Sequence, residues 1–271
     1  MYPAKLHGNL TESEVIVLQT QGECRIIQIG CGGTGGYLVP LISKFLRAIG
    51  TEEKHAREIY FLIDGDKVEQ KNILRQNFSY NDVNKNKADV LAHRYGATAM
   101  AQYFDESMEF TLQSLFFMGG LNVILGCVDR VETRRFIWAT INKFKTFPIW
   151  YIDAGNERTH GQVLVSRNYL SCETNPYEQY GNVEVLEPRR LDIGEFFSGV
   201  DGEVTDQEKM SVSCAEMGGQ SILMNNMAAV NMFGVLTELL TVGVASVSEI
   251  QFGRYRMTND VGPLALLLQS M

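Results

Sequence analysis

The feature that most constrains this chain is a short apolar run ending in a glycine-rich turn. Arg25-Ile-Ile-Gln-Ile-Gly30 is β-rich, and Cys31-Gly-Gly-Thr-Gly-Gly36 follows it directly. From Tyr37 to Ile49, the apolar residues Leu38, Leu41, Ile42, Phe45, Leu46 and Ile49 recur at helical spacing. The order is strand, glycine turn, helix. Gly30, Gly32 and Gly35 fit G-x-G-x-x-G, with Gly33 in the same turn. Glycines there let backbone N–H groups approach a phosphate, and a helix N-terminus favours negative charge. The competing reading is a tight turn that only packs a helix onto a strand. By itself the loop says nucleotide, without saying which one.

The rest of the chain repeats this alternation. Apolar runs at 59–63, 123–125 and 149–152 end at Asp64-Gly-Asp66, at Gly126 to Asp129 and at Asp153-Ala-Gly155. Helical patterns fit around 85–97 and 130–145. Alternating strands and helices predict an α/β fold: Rossmann-like, doubly wound, with a mostly parallel sheet and helices on both faces. Ligands of such sheets sit beyond the carboxyl ends of the strands, where these polar residues fall.

After Gln162-Val-Leu-Val165 the pattern breaks, and residues 171–213 read as a long crossover loop. Residues 218–241 look helical, and the Met-rich run 210–232 reads as core rather than a partner groove. A strand is expected at 250–257 and a helix start at Thr11. We expect one domain over 1–271. Its nucleotide-binding half covers about 25–160, followed by the loop and a C-terminal helix and strand at 214–271.

Bulk properties exclude several classes. A net charge of −8 argues against a nucleic-acid binder, which needs a basic surface. The N-terminus has no charged-then-apolar leader, and no apolar run reaches the length of a membrane span, so a soluble cytoplasmic protein is expected. The five cysteines, Cys24, Cys31, Cys127, Cys172 and Cys214, are odd in number and form no C-x-x-C pair. That speaks against a disulfide framework and a zinc ribbon, so no zinc is expected. Cys31 and Cys127 read as packing residues.

The residues after the second strand separate ATP from NAD. Asp64, at the strand end, can accept hydrogen bonds from ribose hydroxyls of either ligand. Asn72, Arg75 and Gln76 come shortly after Asp66, and Lys87 lies on the next expected helix. A triphosphate carries more charge than a dinucleotide's pyrophosphate and calls for Arg and Lys clamps. Asp129, at a later strand end, suits Mg²⁺, which takes one or two carboxylates plus phosphate oxygens.

The stretches Ile29-Gly-Cys-Gly-Gly-Thr-Gly-Gly36, Leu62-Ile-Asp-Gly-Asp-Lys-Val68 and Asn72-Ile-Leu-Arg-Gln76 together resemble the ThiF/MoeB/HesA family, which shares its adenylation domain with ubiquitin-activating enzymes. Ser213-Cys-Ala-Glu-Met-Gly-Gly-Gln-Ser221 resembles the family's C-x-x-x-G stretch, and the match runs over roughly 25–242. Within the family, the chain looks most similar to the ThiF-like proteins of bacterial PRTRC systems.

The resemblance implies that Asp64 holds the ribose and that Asn72, Arg75 and Lys87 hold and neutralise the phosphates. It implies that Asp129 coordinates Mg²⁺. It further implies ATP-dependent adenylation of the C-terminal carboxylate of a small ubiquitin-like (β-grasp) or sulfur-carrier protein, with pyrophosphate released, and a homodimer.

Two departures stand out. Asp129-Arg130 stands where the family usually has Asp-Asn or a similar pair, and the first 24 residues contain no arginine of the kind that dimeric members often lend to a neighbouring ATP site. Cys214 fits either an acyl-accepting nucleophile near a helix N-terminus or a small buried hydrophobe. Two other functional readings stand beside the first. One is adenylation of a tRNA or small-molecule carboxylate, and the other is a non-catalytic nucleotide-binding homologue.

Overall fold

The computed structural model describes residues 24–51, 56, 58–118, 120–168, 221–243, 245–253 and 256–261. Strands β1 (Cys24–Ile29), β2 (Tyr60–Ile63), β3 (Thr98–Met100), β4 (Leu121–Gly126) and β5 (Ile149–Asn156) are joined through helices. These are α1 (Gly33–Ala48), α2 (Gln70–Ile73), α3 (Lys87–Tyr95), α4 (Met108–Leu115) and α5 (Val131–Ile141). Strand β6 (His160–Arg167), helix α6 (Ile222–Val242) and strands β7 (Val247–Gly253) and β8 (Arg256–Val261) complete the described elements.

The eight strands form one sheet in the order β3-β2-β1-β4-β5-β6-β7-β8. β3, β2, β1, β4 and β5 are parallel, and β6 to β8 extend the sheet antiparallel. The expected doubly wound, Rossmann-like architecture is present. β2 lies on one side of β1 and β4 on the other, so the direction of winding reverses between β1 and β4. That reversal opens a crevice at the strands' carboxyl ends. Register sharpens it. Ile29 pairs with both Ile63 and Gly126, and Gly126 pairs with Asp153. The parallel pairing of four strands therefore ends level, and the residue after each of these positions lines the same space, although β5 runs on to Asn156.

Both faces of the central strands are covered, which is why they read as continuous apolar runs. Alternate side chains go to opposite faces. Ile26, Leu62 and Val123 pack with Leu38 of α1, Leu91 of α3 and Leu236 of α6. Ile27, Ile63 and Ile124 pack with Leu112 of α4 and Ile137 of α5. Burial of each such side chain contributes about 1.5–3 kcal/mol.

Helix α6 is 21 residues long, starts where Ser221 Oγ accepts the Leu223 N–H at 3.1 Å, and ends at Gly243 in the left-handed conformation. Met224 and Met232 are fully buried, as core residues should be.

Some elements differ from the sequence expectation. β3 and α4 were not foreseen, because three residues and eight residues carry too little periodicity to stand out. The expected single strand at the tail is two antiparallel strands, β7 and β8. Among the described residues, no helix is long and apolar enough to cross a membrane. Thr11, the 171–213 segment, Cys172 and Cys214 lie outside the described residues.

Candidate functional site

The glycine turn is held by contacts that allow no side chain. Gly30 has φ +99°, and a Cβ there would sit 2.5 Å from the Cys127 carbonyl oxygen. A Cβ on Gly35 would sit 2.1 Å from the Gly30 carbonyl oxygen. Beneath the turn, the buried Gln28 amide donates to the Gly30 carbonyl at 2.9 Å and the Gly35 carbonyl at 3.2 Å. Tyr60 Oη donates to Gln28 Oε1 at 2.6 Å and fixes that amide's orientation. Gly30, Gly32 and Gly33 face the cleft, whereas Gly35 packs α1 onto β1.

Pro40 lies inside α1 and cannot donate to the Gly36 carbonyl one turn back. Asn77 Nδ2 donates to that carbonyl instead, at 2.9 Å. The repair ties the segment after α2 to the glycine helix, and it brings Arg75 and Gln76 beside the turn.

Asp64 closes the far side of the turn. Its Oδ2 accepts the Cys31 N–H at 2.6 Å, and its Oδ1 accepts the Asp66 N–H at 2.8 Å. Burial pushes its carboxyl above the usual range, against the pull of Lys87 and these two N–H groups. Asp66 goes the other way. Burial raises it, but its hydrogen bond and ion pair with Lys87 (2.8 Å), a bond from Tyr103 Oη (2.8 Å) and the charge of Arg130 outweigh burial and hold it below the usual range. Lys87 is the buried first residue of α3, capped by Asn86, whose Oδ1 accepts the Asp89 N–H at 3.0 Å.

Asn72 is buried, and its side-chain carbonyl accepts the Glu69 N–H at 2.8 Å at the start of α2. Its main-chain carbonyl accepts from Gln76 N–H at 2.8 Å. Arg75 Nε and Gln76 Oε1 are buried in the cleft wall without a hydrogen-bond partner. Such atoms cost free energy unless a ligand or water satisfies them. A relay reaches this wall from elsewhere. Thr34 Oγ1 donates to Asn156 Oδ1 at 3.0 Å, Asn156 Nδ2 to Asn225 Oδ1 at 2.9 Å, and Asn225 Nδ2 to the Arg75 carbonyl at 3.2 Å.

On the β4 side, Asp129 is exposed on the cleft rim. The loop carrying it is held by buried Arg134, whose Nη2 donates to the Val128 carbonyl at 2.5 Å and the Ala154 carbonyl at 2.7 Å. Arg134 Nη1 pairs with buried Asp153, which also accepts from Tyr151 Oη at 2.8 Å. Burial pushes the thiols of Cys31 and Cys127 up, so neither is an activated nucleophile. Cys31 is fully buried, as a packing residue should be, whereas Cys127 also reaches the cleft wall.

These walls enclose a cleft of about 1360 Å³. Gly30, Gly32, Gly33, Asp64, Asp66 and Asn72 line it, and so do Arg75, Gln76, Lys87 and Asp129. The glycine cradle at the start of α1 and the unpartnered Nε–H of Arg75 suit a nucleotide phosphate chain, whereas Gln76 Oε1, an acceptor, suits a hydroxyl or amino group of a ligand. Among the described residues, no three His, Cys, Asp or Glu side chains cluster to hold a metal. A lone Asp129 carboxylate still fits an ion that takes its remaining ligands from phosphate and water. Sequence reading missed Thr34, Tyr103, Arg134, Asn156 and Asn225, and only Asp153 carried a signal, as a strand-end acid.

Fold and cleft together define a Rossmann-like α/β protein with a glycine-turn cleft at the carboxyl ends of its parallel strands. The ThiF family's sequence profile matches residues 11–250, and the chain belongs to the ThiF family. No curated protein matches the chain. Among solved structures, E. coli MccB with AMPCPP and MccA is 16% identical, covers 91% of this chain and 66% of its own, and superposes with a TM-score of 0.58. E. coli MccB with ATP is 18% identical, with the same 91% and 66% coverage and a TM-score of 0.56. PaaA is 16% identical, with 91% and 66% coverage and a TM-score of 0.54. At such identities the likeness is one of fold, and this chain spans 66% of the length of those structures.

Proposed function

We propose that this chain uses ATP and Mg²⁺ to adenylate the C-terminal carboxylate of a small ubiquitin-like or sulfur-carrier protein of β-grasp type, releasing pyrophosphate, and that it works as a cytoplasmic homodimer. One observation carries the nucleotide part. The Nε–H of Arg75 is a buried donor without a partner, set in the cleft beside the glycine turn. Membership of the ThiF family supports the activity. The fold-mate MccB has been solved with ATP and, separately, with N-formylated MccA, which supports a site for both a nucleotide and a partner.

The chemistry asks for little beyond placement. A carboxylate oxygen of the partner attacks the α-phosphorus. A new C–O–P bond forms, the α–β P–O bond breaks, and pyrophosphate leaves with its electron pair. The carboxylate is already ionised at neutral pH, so no general base is needed. Asp64 would hold the ribose, and Asn72, Arg75, Gln76 and Lys87 the phosphates. Asp129 would carry Mg²⁺, whose charge offsets that building on the leaving group.

ATP–pyrophosphate exchange with Mg²⁺ and a β-grasp protein ending in Gly-Gly tests this reading. Exchange is expected in the wild type, with a loss of about 100-fold in Arg75→Ala and in Asp129→Ala. Cys214→Ser should retain exchange, because any thioester step follows adenylation. Absence of exchange in the wild type, or full exchange in both cleft variants, sinks the reading.

A further inference from the structure

We propose that Arg130 is a second phosphate-binding arginine of this cleft, on its β4 wall, so that it and Arg75 together grip the outer phosphates of a bound triphosphate. The inference rests on the adenylation reading and adds a residue to it.

Three of the lysines and arginines lining the cleft are already neutralised. Lys87 is paired with Asp66 at 2.8 Å, and Lys71 with Glu69 at 2.9 Å. Arg134 is paired with Asp153 and further committed to two main-chain carbonyls. Among the described residues lining the cleft, Arg75 and Arg130 are the arginines without an ion pair. A triphosphate brings about four negative charges, and a Mg²⁺ ion offsets two of them. Two uncommitted guanidinium groups match the remainder.

Position supports the same assignment. Arg75 follows α2 on the wall beside the glycine turn. Arg130 follows Asp129 on the β4 wall and is the exposed residue that opens α5. The charge of Arg130 acts on both Asp66 and Tyr103, which belong to the opposite wall. Arg130 lines the cleft together with both of them. An arginine next to the expected Mg²⁺ ligand, in the cleft that Lys87 also lines, is where the β- and γ-phosphates would be gripped. Arginine suits this task because its planar fork engages phosphate oxygens two at a time. The Asp-Arg pair, a departure from the family's usual Asp-Asn, thereby adds a positive charge to the phosphate site.

Calorimetric titration of ATP, ADP and AMP, with Mg²⁺, into wild type, Arg130→Gln and Arg130→Lys tests this. Arg130 is exposed, so both variants should keep the wild-type thermal midpoint. For Arg130→Gln, ATP affinity is expected to fall at least about tenfold, ADP affinity by less, and AMP affinity by under about twofold. Arg130→Lys should fall between Arg130→Gln and wild type for ATP. An equal loss for all three nucleotides would show that Arg130 only shapes the loop, and would overturn the inference. Unchanged ATP affinity would mean a solvated surface arginine. A change confined to KM for the partner protein would place Arg130 on the acceptor instead. Wild-type protein that binds no ATP removes the adenylation reading and this inference together. ATP binding in wild type with no change in Arg130→Gln removes this inference alone.

Discussion

The side-chain amide of Asn225, on α6, donates to the main-chain carbonyl of Arg75 at 3.2 Å, although the two residues are 150 positions apart. Asn225 is fully buried, and its other amide atom accepts from Asn156, which in turn accepts from Thr34 beside the glycine turn. The first turn of α6 thus supports both the cationic wall and the glycine wall of the cleft.

Asn225→Leu removes both bonds and leaves the Asn156 amide without its acceptor. A stability loss of about 1–3 kcal/mol is expected, read from urea denaturation midpoints. ATP affinity should fall as well, because Arg75 loses the contact that fixes its backbone. A variant that loses stability yet binds ATP as tightly as wild type would show that the relay supports the fold alone.

Two glycines should answer oppositely to alanine. Gly35→Ala places a methyl 2.1 Å from the Gly30 carbonyl oxygen, inside a packed turn, and should cost at least about 2 kcal/mol. Gly234 sits within α6, exposed, with nothing within 4 Å of an added Cβ. Gly234→Ala should stabilise by about 0.5–1 kcal/mol, through helix propensity and a less flexible unfolded chain. Thermal melts of the two variants decide it, and a stabilised Gly35→Ala would contradict the turn geometry described above.

Arg134 and Asp153 form a buried pair under the Asp129 loop. Arg134→Met strands the Asp153 charge and should cost about 3–5 kcal/mol. Arg134→Met with Asp153→Leu should recover part of that stability, since no charge is then left unpaired. The double variant should still bind nucleotide less well, because the Val128 and Ala154 carbonyls lose their donor. Chemical denaturation of the three variants, with ATP titration of the folded ones, tests both statements.

The Lys87–Asp66 pair predicts a pH dependence with a definite sign. Asp66 is held below its usual value of 3.8 in the folded chain, so its contribution is complete at neutral pH. That contribution is lost as pH falls below 3.8 towards the lowered folded value, where the folded carboxylate also takes up a proton. Asp66 is half exposed, so the effect should stay below about 1 kcal/mol. Urea melts between pH 7 and pH 3 should therefore show a shallower acid decline in Asp66→Asn than in wild type. A steeper decline in the variant would reverse the sign assigned here.

Much of the cleft was readable from local pattern. The strand, glycine turn and helix at 25–49 are adjacent in sequence, and each strand end carries its polar residue immediately after an apolar run. Asn72, Arg75 and Gln76 lie within five positions, so spacing alone grouped them. Even there the structure redistributed tasks. The side-chain carbonyl of Asn72 caps α2, and Gly35 packs a helix rather than facing the cleft. β3 and α4 were invisible because short elements take their conformation from neighbours more than from their own periodicity.

Hydrophobic period and glycine placement, which act over a few residues, were enough for the sequence by itself to determine an α/β chain with a glycine-rich turn between its first strand and helix and acids at its strand ends. Only the tertiary structure decided that the parallel pairing of β1, β2, β4 and β5 ends level. It alone brought Asn225 to Arg75, Tyr103 to Asp66 and Arg134 to Asp153, and it set Arg130 and Lys87 on the lining of one cleft. Those relations depend on strand register and on crossovers between distant segments, and a local pattern carries no record of which distant residue will arrive.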